Sequence, residues 1–316
     1  MGVSLGGATE DNIMSGKVGM VGVGVMGFAM AMNLRKAGFD VVGYDPAPAA
    51  RERMAGIGAR AVDSPRLVAE ACPTIILSLP SAKALAEAVG GENGLAAALA
   101  SETVAIECST LPLADKRAAH ALMEGAGKIL LDCPLSGTGA QAAVKDLVVF
   151  GSGDESAFER SKPVFEGMSR VQRYLGAFGN GSIMKYIANL LVTIHNVSTA
   201  EAMVLGMKAG LEPSLIYDTL ADSAGSSRIF QIRGPLMRDQ NYDQPTATIR
   251  THLKDLSIIG AFASELECPT PLFSAAAQPY YAGAAQGRAM QDTAAVCAVL
   301  EEMAGLKRQG SGPSGA

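Results

Sequence analysis

The stretch that most constrains the fold is Val21-Gly22-Val23-Gly24-Val25-Met26-Gly27, which closes the apolar run Lys17–Val23 and opens the segment Met26–Ala37. Three glycines at these offsets say little by themselves in a chain with 36 glycines among 316 residues. Between a strand and a helix each acquires a task. Gly22 makes the tight turn, Gly24 lets a pyrophosphate reach the backbone, and Gly27 lets the helix press against the strand. The helix start at Val25 and Met26 then offers unpaired N–H groups to phosphate charge. Asp45 ends the next strand-like run, Asp40–Asp45, 23 residues after Gly22. A carboxylate there accepts from a ribose 2′-hydroxyl and repels a 2′-phosphate. NAD is therefore the expected cofactor, with NADP the lesser alternative because Arg51 stands nearby.

Around this loop the first half of the chain alternates β-branched and amphipathic runs. Strands are expected at Lys17–Val23, Asp40–Asp45, Arg60–Val62, Thr74–Leu79, Thr103–Cys108, Ile129–Cys133 and Leu147–Gly151. Helices are expected at Met26–Ala37, Ala47–Gly56, Pro65–Glu70, Ala82–Val89 and Leu113–Glu124. Such alternation means a parallel sheet with helices on both faces. The unbroken apolar character of Thr74–Leu79 suits a strand buried on both sides. After Gly179 the strand-like runs stop, and helical patterns follow at about 182–209, 213–222, 250–266, 270–285 and 292–305. The class changes from α/β to all-α near residue 180. The expected organisation is a flexible tail over 1–15, a nucleotide-binding domain over 16–180, a helical domain over 181–307 and a second tail over 308–316.

Composition narrows the function classes. A net charge of −5 and the lack of any basic run argue against nucleic acid as a partner. Five scattered cysteines with no CxxC pair read as buried free thiols of a reducing compartment, and three scattered histidines give a metal centre little to be built from. Residues 1–15 hold no basic segment followed by an apolar one, and no run reaches the roughly 18 apolar residues of a membrane span. A cytoplasmic location without membrane attachment is expected.

The halves meet at Gly179-Asn180-Gly181-Ser182, where Ser182 is the expected N-cap of a long apolar helix. That helix carries Lys185 and Asn189 at i, i+4, one above the other on one face. Ile183, Met184, Tyr186, Ile187, Leu190 and Leu191 surround them. A lysine in such a turn either snorkels its ammonium to the surface or is kept for chemistry.

Several separate motifs, in order along residues 17–305, resemble those of the β-hydroxyacid dehydrogenase family, and more distantly 6-phosphogluconate dehydrogenase. They are Gly22-Val-Gly24-Val-Met-Gly27-Phe-Ala-Met-Ala-Met-Asn33-Leu, Leu79-Pro80, Cys108-Ser109-Thr110, Asp132-Cys-Pro134-Leu-Ser136-Gly137-Thr138, Gly179-x-Gly181-x-x-x-Lys185-x-x-x-Asn189 and Lys254-Asp255-Leu256. The resemblance implies a Rossmann-like doubly wound sheet followed by an all-α domain, joined by a long interdomain helix. It implies a 3-hydroxyacid dehydrogenase or semialdehyde reductase using NAD, with Lys185 as general acid/base and Asn189 orienting the substrate. Ser136, Gly137 and Thr138 would hold the substrate carboxylate. Leu79, Pro80 and Thr110 would line the nicotinamide end, and Lys254 would reach the cofactor. Asp255 is expected to anchor its own helix outside the site. A small hydroxy acid or semialdehyde is the implied partner, and a homodimer or homotetramer the implied assembly.

Two departures bear on specificity. Thr138 stands where the family commonly has a second glycine, either altering the carboxylate contact or serving as a plain turn residue, and Ala188 stands where many relatives carry a further Asn. They keep open a reductase of imines or of other carbonyls on the same scaffold. A non-catalytic dinucleotide sensor is the reading from another class, and the presence of Lys185, Asn189 and Lys254 is the feature that speaks against it.

Overall fold

The structure, a computed structural model, describes residues 16–100 and 103–308, which divide after Ser182 into two compact units. The tail expected at 1–15, and all but the first residue of the one expected at 308–316, lie outside the described residues. Arg308, expected to begin the second tail, instead donates to Arg238 O at 2.8 Å and pairs with Glu301, because a guanidinium finds a sheltered carboxylate there.

The first unit opens with β1 (Lys17–Val21), α1 (Val25–Lys36), β2 (Asp40–Tyr44), α2 (Pro48–Gly56), β3 (Arg60–Ala61), α3 (Pro65–Ala71), β4 (Thr74–Leu77), α4 (Ala82–Gly90), β5 (Val104–Glu107), α5 (Leu113–Gly125) and β6 (Ile129–Asp132). The six strands form one parallel sheet in the order β3-β2-β1-β4-β5-β6. The chain winds outward from β1 to β3, then crosses back to β4 on the other side. The order therefore reverses between β1 and β4, which opens a crevice beyond their carboxyl ends. Alternate residues of each strand feed opposite cores. Val18, Met20, Ile76 and Ile106 pack with Met30 and Leu34 of α1, whereas Val21, Ile75, Leu77 and Ala105 pack with Val68 of α3, Leu85 of α4 and Met123 of α5.

Beyond β6 the chain departs from the expected pattern. β7 (Leu135–Ser136), α6 (Gly139–Ala143), β8 (Val148–Gly151), α7 (Glu155–Arg160), α8 (Lys162–Met168) and β9 (Val171–Tyr174) follow. Leu147–Gly151 does yield a strand, but in a separate three-stranded sheet, antiparallel to β7 and parallel to β9. Then α9 (Asn180–Lys208) runs unbroken for 29 residues.

The second unit takes up α9 and adds α10 (Pro213–Leu220), α11 (Arg228–Asp239), α12 (Ile249–Glu265), α13 (Pro271–Ala285) and α14 (Val296–Met303). Residues 228–239, which lie between the helices expected at 213–222 and 250–266, are helical around Pro235. The proline leaves Gln231 O without its helical donor, and the Tyr217 hydroxyl points at that oxygen at 3.4 Å. Helix α9 is long and apolar enough on average to cross a membrane, which counting unbroken apolar runs does not reveal. Here Tyr186, Val197, Ala200 and Met203 are buried, and the Asn196 amide donates to the Tyr280 hydroxyl and Thr293 O, both at 2.8 Å. Four cysteines are buried and Cys268 is exposed; all five are free.

Candidate active site

In the first unit the predicted cofactor residues gather at the carboxyl ends of β1, β2, β4 and β5. Gly22 has φ +88°, and a Cβ added there would stand 2.2 Å from Ser78 O. A Cβ at Gly27 would stand 2.0 Å from Gly22 O, so the helix packs directly on the turn. At exposed Gly24 a Cβ would meet nothing within 4 Å. The cradle is thus crowded behind and open in front, at the position where a phosphate would approach. The Asp45 carboxylate is drawn to this loop, accepting from Val23 N at 2.8 Å and Ala47 N at 2.9 Å. Arg51 Nη1 is turned to backbone, donating to Asp45 O at 2.6 Å and Pro46 O at 3.2 Å. An open glycine, a helix N-terminus and an acidic acceptor fit a dinucleotide.

The neighbouring loops are tied to one another. Ser109 Oγ accepts from Leu79 N at 2.7 Å, linking the Leu79-Pro80 turn after β4 to the loop after β5 that carries Thr110. Ser136 ends β7, and Gly137 follows at φ +143° with Leu147 packed so closely that a Cβ would stand 2.5 Å from it. Thr138 has an ordinary extended backbone (φ −101°) and caps α6. Its N–H donates to Gln141 Oε1 at 3.0 Å while its hydroxyl receives Gln141 N, the reciprocal pattern of a capping box. Threonine at this position thus keeps an extended backbone and serves as the cap of α6. Asn33 on α1, 4% exposed, donates to Ala142 O at 2.7 Å and fixes this loop's helix to the cofactor helix.

In the second unit α9 and α12 bring four predicted or neighbouring polar residues together. Lys185 and Asn189 are 9% and 8% exposed. Asn189 Nδ2 donates to Asp255 Oδ2 at 2.9 Å, and Lys254 Nζ lies 3.4 Å from Asp255 Oδ1. Burial lowers the Lys185 pKa, Asp255 pulls it back up, and Lys254 pushes it down; the balance is a lowered value. Lys185 is no snorkelling surface lysine. Asp255, expected to lie outside the site, is the carboxylate that holds Asn189 and opposes the desolvation of Lys185. His252, one turn earlier on α12, is also buried; its Nε2 lies 2.9 Å from Thr193 Oγ1, and its ring packs on Tyr280 with centroids 4.7 Å apart. The sequence carries one signal for this cluster, the i, i+3 spacing of His252 and Asp255.

The start of α9 differs from expectation. Ser182 lies inside the first turn, two residues after the helix begins at Asn180, and does not cap it. Its N–H and hydroxyl both go to Asp132, at 2.7 and 2.8 Å. Gly181 allows the approach, since a Cβ there would stand 2.3 Å from Phe150 O and 2.6 Å from Asp132 O. Among the described residues no group of three His, Cys, Asp or Glu is placed to hold a metal ion.

Residues 17–177 match the family model described as the NAD binding domain of 6-phosphogluconate dehydrogenase. Residues 179–300 match the one described as NAD-binding of NADP-dependent 3-hydroxyisobutyrate dehydrogenase. The chain is 31% identical to an L-threonate dehydrogenase of Cupriavidus necator over 91% of its length and 97% of that protein. It is 32% identical to the 2-hydroxy-3-oxopropionate reductase of Escherichia coli, over 92% and 99%. Among solved structures, a 3-hydroxyisobutyrate dehydrogenase of Mycobacterium tuberculosis with L-serine superposes with a TM-score of 0.83 at 30% identity, covering 91% of this chain and 99% of that one. With its ordered motifs, its sheet order and these matches, the chain belongs to the β-hydroxyacid dehydrogenase family, nicotinamide-dependent oxidoreductases acting on the CH–OH group of hydroxy acids.

Proposed function

We propose that the protein is an NAD(H)-dependent 3-hydroxyacid dehydrogenase or semialdehyde reductase in which Lys185 is the general acid/base. The observation that carries this reading is a buried lysine of lowered pKa, flanked by the Asn189–Asp255 hydrogen bond. When bound, the nicotinamide gives or takes the hydride. The chain's own residues do the rest. In oxidation neutral Lys185 accepts the alcohol proton; in reduction its ammonium donates to the forming alkoxide. Asn189 orients the reacting oxygen, and the loop Ser136-Gly137-Thr138 receives the carboxylate, with Thr138 fixing the loop as the cap of α6.

Gly22, Gly24 and Gly27, with the N–H groups of Val25 and Met26, would hold the pyrophosphate, and Asp45 the adenosine ribose. Leu79, Pro80 and Thr110 would line the nicotinamide, with Lys254 reaching the cofactor. Asp45 turned toward the glycine loop, and Arg51 turned to backbone carbonyls, support NAD over NADP. In this reading residues 16–180 bind the cofactor, and residues 181–307 contribute the proton-transfer group and the subunit interface.

Similarity to an L-threonate dehydrogenase and a 2-hydroxy-3-oxopropionate reductase supports a small hydroxy acid or semialdehyde as substrate. Neither nucleic acid nor membrane takes part in this cytoplasmic reading. Exposed Ile187, Leu191 and Leu205 along α9 support burial against further copies in a homodimer or homotetramer. The test is NADH formation at 340 nm with L-threonate, L-serine, 3-hydroxyisobutyrate and related C3–C5 hydroxy acids, with NADP⁺ run in parallel. Turnover of at least one acid with NAD⁺ preferred is expected; tight NADH binding with no turnover of any acid would count against the reading.

A further inference from the structure

Lys116 of α5 is completely buried, and so are both of its partners. Its Nζ lies 2.5 Å from Glu107 Oε2 and 2.8 Å from Asp132 Oδ1, with all three side chains at 0% exposure. Glu107 ends β5 and Asp132 ends β6, so the lysine bridges the carboxyl ends of two adjacent strands. Burial pulls the Lys116 pKa down, but the two carboxylates outweigh it and the value is raised, so the group stays an ammonium. Such a cluster is an expensive way to join two strands, because apolar side chains of similar volume commonly do so as well or better. Two carboxylates against one ammonium also leave excess negative charge in the interior.

The other bonds of the cluster show where that charge is directed. Glu107 Oε1 accepts from Ser109 N at 2.9 Å, and Ser109 Oγ accepts from Leu79 N at 2.7 Å. Asp132 Oδ2 accepts from Ser182 N at 2.7 Å, and its Oδ1 from the Ser182 hydroxyl at 2.8 Å. Ser152 Oγ lies 3.3 Å from Asp132 Oδ2 and receives Gly181 N at 3.0 Å. Asp132 thus faces the N-terminus of the 29-residue α9, whose aligned peptide dipoles present partial positive charge there, while Glu107 faces the loop of Ser109. Apolar side chains would join the strands but would leave these N–H and O–H groups without acceptors.

We propose that Glu107, Lys116 and Asp132 are positioning residues for catalysis: through Ser109 they set the loops of Leu79 and Thr110, and through Ser182 they clamp the first turn of the helix whose next two turns carry Lys185 and Asn189. This rests on the reading of Lys185 as the acid/base. The clamp acts on α9 at its origin, before the proton-transfer group, so slack at Ser182 loosens the helix that carries the buried Lys185.

The test uses the full chain with NAD⁺ and whichever acid the wild type oxidises, in two variants. Ser182→Ala removes one hydroxyl from Asp132 and keeps the backbone bond; Lys116→Met removes the ammonium. Both are expected to lower kcat by about tenfold or more while the NADH Kd stays within about twofold. Both are also expected to move the midpoint of the kcat/KM–pH profile upward, toward that of an ordinary lysine, because water reaches Lys185. A merely structural cluster would lower the melting temperature and leave kcat and the pH profile alone, and that result overturns the proposal. If Lys116→Met does not fold, Ser182→Ala decides. A wild type that oxidises no acid overturns the functional reading and this proposal with it, whereas an active wild type matched by its variants overturns this proposal alone.

Discussion

Asn189 donates its amide to Asp255 across 2.9 Å, one helical turn from Lys185, and so joins α9 to α12 beside the buried lysine. The bond holds Asn189 in one orientation and keeps a negative charge close enough to oppose the desolvation of Lys185. The lowered pKa of the lysine has three causes of known sign: burial and Lys254 push it down, and Asp255 pushes it up.

Removing the negative one should shift that balance. Asp255→Asn is expected to lower the Lys185 pKa further, so the rise of kcat/KM for oxidation with pH moves to lower pH. Lys254→Met should move it the other way. Initial-rate pH profiles check both directions, and a profile unmoved by either change would place the titrating group elsewhere.

The glycine loop gives a paired prediction. Gly24→Ala puts a methyl into open space, so the protein should keep its stability while NADH binding weakens by about tenfold or more, because the methyl stands where phosphate would approach. Gly27→Ala drives a methyl to 2.0 Å from Gly22 O and should destabilise the fold by roughly 1–3 kcal/mol as well. NADH titration and thermal melts of the two variants separate the effects.

A lysine held below its ordinary pKa of 10.5 opposes folding. Between the lowered value and 10.5 the unfolded chain binds more protons than the folded one, so the contribution of Lys185 to stability improves as pH rises through that window. Lys185→Met should therefore be more stable than wild type near neutral pH, with a gain that shrinks as pH rises. Melting temperatures from pH 6 to 10 check it.

His252 carries the acid-side counterpart. Burial pushes its pKa down to about 4 from the ordinary 6.5, with Arg233 and Lys185 also pushing down against Asp255. From pH 6.5 down to 4 the unfolded chain takes up a proton that the folded chain refuses, so stability falls as pH falls, by on the order of 3 kcal/mol in all. His252→Gln should flatten the urea-unfolding free energy over that window.

Much of this architecture is legible in the sequence because it is written in long patterns. The parallel sheet follows from β-branched runs spaced by amphipathic ones, and the placing of Lys185 and Asn189 on one face of α9 follows from i, i+4 spacing alone. Shorter elements leave too little pattern: β7 has two residues and α6 has five. Helix α11 is hidden by Gly234-Pro235, whose cost the Tyr217 hydroxyl partly offsets from another helix. The carboxylate partners are hidden for a different reason. That Asp255 faces Asn189, and that Asp132 takes both groups of Ser182, depends on packing between elements 66 and 50 residues apart in sequence, which no local spacing encodes.

The central claim is proton transfer by Lys185, and the most direct measurement is kcat/KM for oxidation of the best hydroxy acid by wild type and Lys185→Met, with NADH affinity determined on the same preparations. The account predicts a loss of at least about 10²- to 10⁴-fold with NADH binding intact. A variant that binds NADH and keeps kcat/KM within about tenfold of wild type would contradict it.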